Sequence, residues 1–475
     1  MKKLLLALLV LILLPILWFG GKIALYQQED NEEKLASKQA YLQSVKQLDR
    51  SGLLRPNIVL VLLDDLGYGD LGVTGATAIK TPAIDALANN GVMLTNYYAP
   101  APVCTPSRAG LLTGRLPLRA GMPQVVHPSD SKINWPHKAM GINLRLPTEE
   151  VTLADVLGAA GYETGMVGKW HLGDQKPSQP NDFGFTEYFG ALYSNDMTPF
   201  PLYRNRAIEI PDPTDQTQLN DLYSVEAVKF IEKNRDQPFF LYYAHNFPHI
   251  PLFSSAEQEG KSTGGLYGDV VEDIDKGIAR IVATLKEQDV YDNTIILLTS
   301  DNGPWFQGSP GSNRGRKADT FEGGMHVPMI VHWPEVIAGG RKLDGLSMGI
   351  DWFPTILDWL DLPLPKDRLI DGKSIKSMLA GGADSPNDYL YYFSGETLKA
   401  VRDSRFKYHD QRKIYYTPGG FAMGVPKGPW LFDMAVDYNE SYDTSMTHTE
   451  EFSKLQEVFA AKQQEMETNM RGWIH

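Results

Sequence analysis

From Pro56 to about residue 380 the chain alternates short, almost wholly apolar runs with longer amphipathic stretches. Apolar runs of strand length suit parallel strands buried on both faces, and the amphipathic stretches suit the helices that cross between them. The pattern predicts a doubly wound, mostly parallel α/β sheet. Four of the runs end in reactive polar residues: "NIVLVLL" leads into Asp64-Asp65, "ETGMVG" into Lys169-Trp170-His171, "FFLYYA" into the segment ending at His249, and "TIILLTS" into Asp301-Asn302. Open parallel sheets bind ligands at the carboxyl ends of their strands, so these four clusters are expected at one edge and in one site. Beyond residue 380 the texture changes to hairpin-like strands, "DYLYYFSG", "LKAVRD", "RFKYHD" and "KIYYT", closed by an amphipathic helix near "EEFSKLQEVFAAKQQEM". That pattern predicts a small α+β appendage with an antiparallel sheet.

The N-terminus reads differently. "MKKLLLALLVLILLPILWFGG" places two lysines before roughly 16 apolar positions, the layout of an export signal. No small-x-small cleavage site follows, and Trp18 and Phe19 stand where an interfacial aromatic belt would lie. Residues 1–25 are therefore read as an uncleaved signal anchor, with a cleaved signal peptide as the alternative, and the lysines keep that end cytoplasmic while the remainder is exported. Residues 26–54 are polar and poor in Gly and Pro, as in a surface helix or a stalk. The expected division is thus 1–25 anchor, 26–54 polar linker, 55–380 catalytic domain and 381–475 C-terminal domain. The expected location is periplasmic or extracellular.

At 475 residues the chain can bury a large core. Its formal charge of −13, with no long basic run, argues against nucleic acid as a partner but leaves room for a local cationic pocket. Cys104 is the only cysteine. It cannot pair within the chain, so the fold rests on burial without a disulfide, and a lone thiol is by default a small buried hydrophobe. Its surroundings in "VCTPSRAGLLTG", just before a turn that opens an apolar helix, raise a different use.

Asp64, Asp65, Asp301 and Asn302 bring three carboxylates and an amide from two strand ends. Carboxylates so crowded repel one another unless a cation joins them. All-oxygen ligation favours calcium or magnesium over zinc, and an exported site tilts the choice to one calcium ion. Taken singly, "DD" and "DNG" are ordinary strand-end turns. Arg108, Lys169, His171, His249 and Lys317 would add cationic and proton-carrying groups suited to a tetrahedral oxyanion, pointing to a sulfate or phosphate ester.

"CTPSRAGLLTGR" resembles the signature of type I sulfatases, in which the Cys of a C-x-P-S-R motif is oxidised to formylglycine. The resemblance runs from about Pro56 into the C-terminal sheet and is above all to the arylsulfatase A group. It implies an alkaline-phosphatase-like fold, sulfate monoester hydrolysis by the geminal diol of a formylglycine made from Cys104, and a formylglycine-generating or equivalent maturation enzyme as partner. "LDDLGYGDLG" and "SDNGP" look like the family's two metal motifs, implying Asp64, Asp65, Asp301 and Asn302 as calcium ligands with the modified Cys104 beside them. "GKWHLG" implies that Lys169 contacts sulfate and that His171 acts as a base on the formylglycine. "PHIP" implies His249 as sulfate ligand and acid for the leaving oxygen, "RKADTFEGG" implies Lys317 as its partner, and "YSND" implies that Ser194 contacts sulfate. Arg108, within the signature, would hold the formylglycine and its charge.

The chain departs from the family where selectivity is expected. "QVVHPSDSKINWPHKAMGINLR" is long and carries His127, Trp135 and His137, which either line the pocket mouth or pack in an exposed loop. His245, four residues before His249, reads as a structural hydrogen-bonding residue. Two rivals stay open: a phosphate or phosphonate monoester hydrolase with the same cradle, and an inactive binder of sulfated glycans. Aryl sulfates, sulfated sugars and sulfolipids are not distinguished by these motifs.

Overall fold

"NIVLVLL" forms the strand Asn57–Leu63, buried at every position, because its Val, Ile and Leu side chains fit a pleated surface covered on both sides. In this computed structural model the described residues are 13–14, 18–381, 384–416 and 423–474, with the backbone alone for 412–416 and 423–426. Most of the expected N-terminal anchor lies outside them. Among the described residues no helix is long and apolar enough to cross a membrane.

Among the described residues the central sheet has ten strands, in the spatial order Arg341–Leu343, Val92–Leu94, Met329–His332, Thr294–Ser300, Asn57–Leu63, Phe239–Ala244, Glu163–Gly168, Glu187–Gly190, Leu202–Arg204 and Ala207–Ile210. Its middle is parallel: Asn57–Leu63 pairs with Thr294–Ser300 on one side and Phe239–Ala244 on the other, followed by Glu163–Gly168 and Glu187–Gly190. Met329–His332 joins antiparallel on one flank and Leu202–Arg204 on the other. The expected doubly wound, mostly parallel sheet is what the chain forms.

Alternation along the strands divides the core in two. Ile58, Leu60 and Leu62 face one apolar cluster with the helices Cys104–Thr113, Leu153–Ala159 and Trp352–Trp359, while Val59, Val61 and Leu63 face another with Pro82–Asn89, Leu219–Asn234 and Gly265–Glu287. Each fully buried Val, Leu or Ile contributes roughly 1.5–3 kcal/mol, so two such layers hold the fold without disulfides.

The strands Leu390–Ser394, Thr397–Arg402, Phe406–His409 and Trp430–Asp433 make a separate antiparallel sheet. The helix Thr449–Thr468 lays Leu455, Phe459 and Met466 into the same cluster as Leu398, Ala400 and Tyr408. At the other end of the chain, the polar segment forms the helix Glu32–Lys46, capped by Asn31, whose side chain accepts from the Lys34 N–H. The helix is docked: the buried Lys38 Nζ lies 2.8 Å from Asp155 and donates to the Glu150 carbonyl.

Candidate active site

Parallel pairing aligns the carboxyl ends of the five middle strands, and the residues just past those ends meet there. Gly168 is one reason the edge closes: it has φ 111°, and a Cβ there would stand 1.9 Å from the Ala244 carbonyl oxygen. The absence of a Cβ lets the neighbouring Lys169 N–H bond that same oxygen at 2.7 Å. Asp65 and His171 also adopt left-handed backbone, both with φ 62°. Such a conformation costs a non-glycine residue about 1–2 kcal/mol and persists where surrounding contacts fix it.

Cys104 opens the helix Cys104–Thr113, all ten residues of which are buried. Val103 caps it in extended conformation without a side-chain hydrogen bond, so the free N–H groups of the first turn favour negative charge beside Cys104. The Cys104 thiol donates to Asp64 Oδ1 at 3.3 Å, and Lys317 Nζ approaches its sulfur at 3.4 Å. Burial and then Asp64 push this thiol well above its ordinary pKa.

Charges alternate around it. Asp64 Oδ2 accepts from Lys169 and lies 3.5 Å from Arg108 Nη2. Arg108 holds Asp301 Oδ2 through Nε and Nη2 at 3.0 and 2.9 Å and donates to the Lys169 carbonyl at 2.6 Å. Asp65 accepts from Lys317 at 2.8 Å and from Asn302 Nδ2 at 2.7 Å. Lys169 Nζ reaches Ser194 Oγ at 3.2 Å, and Ser194 Oγ lies 3.4 Å from His249 Nδ1. The other His249 nitrogen, Nε2, is 3.7 Å from Asp65. Burial would raise Asp64, but Lys169, His249, Arg108 and Lys317 outweigh it and hold the carboxyl well below its usual range. Asp301 goes the other way, raised to about 6 by burial and by Asp64 against the pull of Arg108. Burial and then Lys169 and Arg108 keep His171 well below its ordinary value, so its imidazole is neutral. Its Nε2–H donates to the Val126 carbonyl at 2.9 Å, leaving Nδ1 buried with a lone pair that meets no hydrogen-bond donor among the described residues.

The residues present fit a divalent cation. Asp64, Asp65, Cys104 and His249 offer ligand atoms all within 4.8 Å of one another. Asn302 spends its Nδ2 on Asp65 Oδ1 and the Gly303 carbonyl, while its buried Oδ1 has no hydrogen-bond partner among the described residues. An amide oxygen left so costs about 1–3 kcal/mol, which a cation beside it would offset.

Every predicted site residue lies in or beside this cluster, although Asp301 is turned toward Arg108 and Asn302 toward Asp65. Three contributors were not predicted. Thr105 Oγ1 donates to the His171 carbonyl at 3.0 Å and accepts from the Val126 N–H, Val126 fixes the His171 tautomer, and Tyr193 packs its ring edge-on against His171 at 5.8 Å. Thr105 sat within the signature word, whereas a backbone carbonyl and a wall tyrosine carry no sequence signal. His245 is structural: its Nδ1 accepts from the Phe247 N–H at 2.9 Å. His127 is half-buried near His137 and Asp196, and Trp135 is exposed.

A nucleophile-bearing helix N-terminus, a cation-ready carboxylate cluster and a cationic cradle at one sheet edge define a hydrolase of tetrahedral oxyanion esters. Residues 56–362 match the Sulfatase family, and residues 316–416 match the C-terminal region of N-sulphoglucosamine sulphohydrolase. The chain belongs to the sulfatase family and is a sulfuric ester hydrolase. It is 34% identical over 460 residues to the N-acetylgalactosamine-6-sulfatase of Canis lupus familiaris, covering 88% of this chain and 87% of that one. It is 33% identical over 440 residues to human arylsulfatase A, covering 82% and 83%. Among solved structures it resembles the PsFucS1 sulfatase of Pseudoalteromonas sp., with TM-score 0.77, 27% identity, and 93% and 97% of the two chains covered. Members of the family generally use a cysteine-derived formylglycine and a metal ion.

Proposed function

We propose that this protein hydrolyses sulfate monoesters of saccharides, with Cys104 as the residue converted to formylglycine and one calcium ion beside it. The observation that carries the reading is the placement of Cys104 Sγ between Asp64 and Lys317, at a helix N-terminus and next to the Lys169–Ser194–His249 group. Asp64, Asp65, Asp301 and Asn302 would hold the ion, and their all-oxygen donor set favours calcium. When present, the hydrated formylglycine supplies one hydroxyl to attack sulfur and a second to expel sulfate, and the ion supplies Lewis-acid stabilisation of the charge.

The chain's own side chains do the rest. Lys169, Lys317 and Ser194 bind sulfate oxygens in a buried, water-poor setting where each contact is worth more than in solution. Arg108, tied to Asp301 and Asp64, holds the nucleophile's surroundings rigid. His171, neutral and with Nδ1 free, accepts a proton from the nucleophile's hydroxyl. His249 protonates the leaving oxygen.

Saccharide substrates are supported by the kinship with N-acetylgalactosamine-6-sulfatase. Export to the periplasm or exterior, with an uncleaved N-terminal anchor, is supported by the Lys2-Lys3 and apolar pattern of residues 1–25. A maturation enzyme acting on "CTPSR" before or during export belongs to the same reading. The test is a panel of defined sulfated saccharides and aryl sulfates presented to the purified, formylglycine-bearing enzyme. Higher kcat/KM for at least one saccharide sulfate than for the aryl sulfates is expected, and turnover of aryl sulfates alone would contradict the substrate class.

A further inference from the structure

Beside the cradle lies a cavity of about 270 Å³ that the sulfate chemistry does not use. Ser129, Asp130, Asp174, Tyr193, Phe200 and Tyr203 line it, and among the described residues no lysine or arginine does. Short links of chain join it to the site. Tyr193 precedes Ser194 and packs edge-on against His171, Asp174 follows His171 by three residues, and Ser129 follows Val126, whose carbonyl holds the His171 ring. The wall is braced by the Ser129 N–H donating to Asp174 at 2.9 Å and by Gln175 Nε2 donating to Ser129 Oγ at 2.8 Å.

Its chemistry is opposite to that of the cradle. The Tyr193 side chain is only 7% exposed, and its buried hydroxyl has no hydrogen bond of good geometry among the described residues, with Asp174 as the neighbouring acid. Burial, Asp174 and Asp130 keep that phenol protonated and therefore a donor. Tyr203 and Phe200 add apolar surface. The volume is below the ~300–1,000 Å³ of pockets for drug-sized ligands and suits a single ring. Carboxylates that accept hydroxyl hydrogens, a phenol that donates, and aromatic faces that meet C–H groups together match an uncharged sugar ring.

We propose that this cavity is a subsite for an uncharged sugar residue joined to the sulfated one, and that Asp130 and Asp174 exclude a neighbour carrying a carboxylate or a second sulfate. This rests on the saccharide sulfatase reading and narrows its substrate class to chains whose anionic sugar is followed by a neutral one. The two carboxylates act by repulsion as much as by attraction, since selectivity against a partner is built from unfavourable contacts.

The test uses the formylglycine-bearing enzyme and two disaccharides with the same sulfated residue, one joined to a neutral hexose and the other to a hexuronic acid. An aryl sulfate is run alongside. Wild type is expected to show kcat/KM about tenfold or more higher for the neutral neighbour, as repulsion between near charges predicts. Asp130→Asn, at an exposed position where folding is not at stake, and Asp174→Asn, which keeps an acceptor for the Ser129 N–H, should each narrow that ratio. Equal rates on the two disaccharides in wild type, or an unchanged ratio in both variants, overturns the subsite while leaving the sulfatase reading intact if the aryl sulfate is hydrolysed. Failure on the aryl sulfate and on both disaccharides overturns both.

Discussion

Lys407→Met removes the cation at the centre of a buried network joining the C-terminal sheet to the loop that carries Lys317. Lys407 Nζ lies 2.9 Å from Glu322 Oε1, 2.8 Å from Glu440 Oε1 and 3.0 Å from the Thr320 carbonyl, and the Lys407, Glu322 and Glu440 side chains are all 0% exposed. Glu322 also accepts from the Tyr98 hydroxyl at 2.6 Å and lies 3.7 Å from Arg402, while its own N–H donates to Glu440 at 2.7 Å. Methionine fills the space but takes from Glu440 the cation at 2.8 Å, while Glu322 keeps Arg402 at 3.7 Å. Removing one partner of a buried pair costs about 3–5 kcal/mol, because the remaining charge stays desolvated. Thr320 and Glu322 directly follow the Arg316–Asp319 turn from which Lys317 reaches Cys104, so kcat should fall together with stability.

The protonation of Glu440 sharpens the test. Burial raises its carboxyl from 4.5 to about 7, Glu322 adding to the effect and Lys407 opposing it. A raised acid stabilises the fold while it stays protonated. That contribution is complete below the ordinary glutamate pKa and is lost as pH rises through about 7. Glu440→Gln should therefore flatten the fall in stability between about pH 4.5 and 7, and combined with Lys407→Met it should recover part of the loss. Urea unfolding followed by tryptophan fluorescence at several pH values, with sulfatase kinetics on the same samples, measures both. A Lys407→Met protein within ~0.5 kcal/mol of wild type, the range of ordinary surface changes, would refute the reasoning.

Three further outcomes follow from the site. Asn302→Leu keeps the shape but deletes the unpartnered amide oxygen, so elemental analysis should show less than the wild-type calcium and turnover should drop; full metal content with full activity would remove Asn302 from the ion's shell. His249→Ala should slow alkyl and sugar sulfates far more than an activated nitrophenyl sulfate, since general acid help is typically worth ~100 to 10,000-fold and a good leaving group needs little of it; equal losses on both would leave His249 only a sulfate ligand. Arg108→Lys keeps the charge but not the two-point hold on Asp301, so both kcat and folding stability should suffer, and a fully active, fully stable variant would contradict that hold.

The convergence of Asp64, Lys169, His249 and Asp301 was legible in the sequence, because each follows an apolar run and parallel pairing aligns strand ends. The C-terminal hairpins were legible for a similar reason: alternation in "LKAVRD" and "RFKYHD" corresponds to the strands Thr397–Arg402 and Phe406–His409. Contacts set by tertiary approach were not. Glu322 stands in "TFEGG" with nothing to say that Lys407 and Glu440 come to it from more than 80 residues away. The Val126 carbonyl that fixes the His171 tautomer belongs to backbone, and backbone groups look alike in every sequence. Tyr193 reads as one aromatic among 22 tyrosines until the fold sets it against His171.

The central claim is that Cys104 is the precursor of the nucleophile in sulfate ester hydrolysis, and peptide mass spectrometry of the active protein tests it most directly. The peptide spanning Val103 to Arg108 should carry an aldehyde in place of the thiol, in a fraction that rises in proportion to specific activity across preparations, and Cys104→Ala should show neither aldehyde nor turnover. Full activity in a preparation whose Cys104 is entirely unmodified would contradict it.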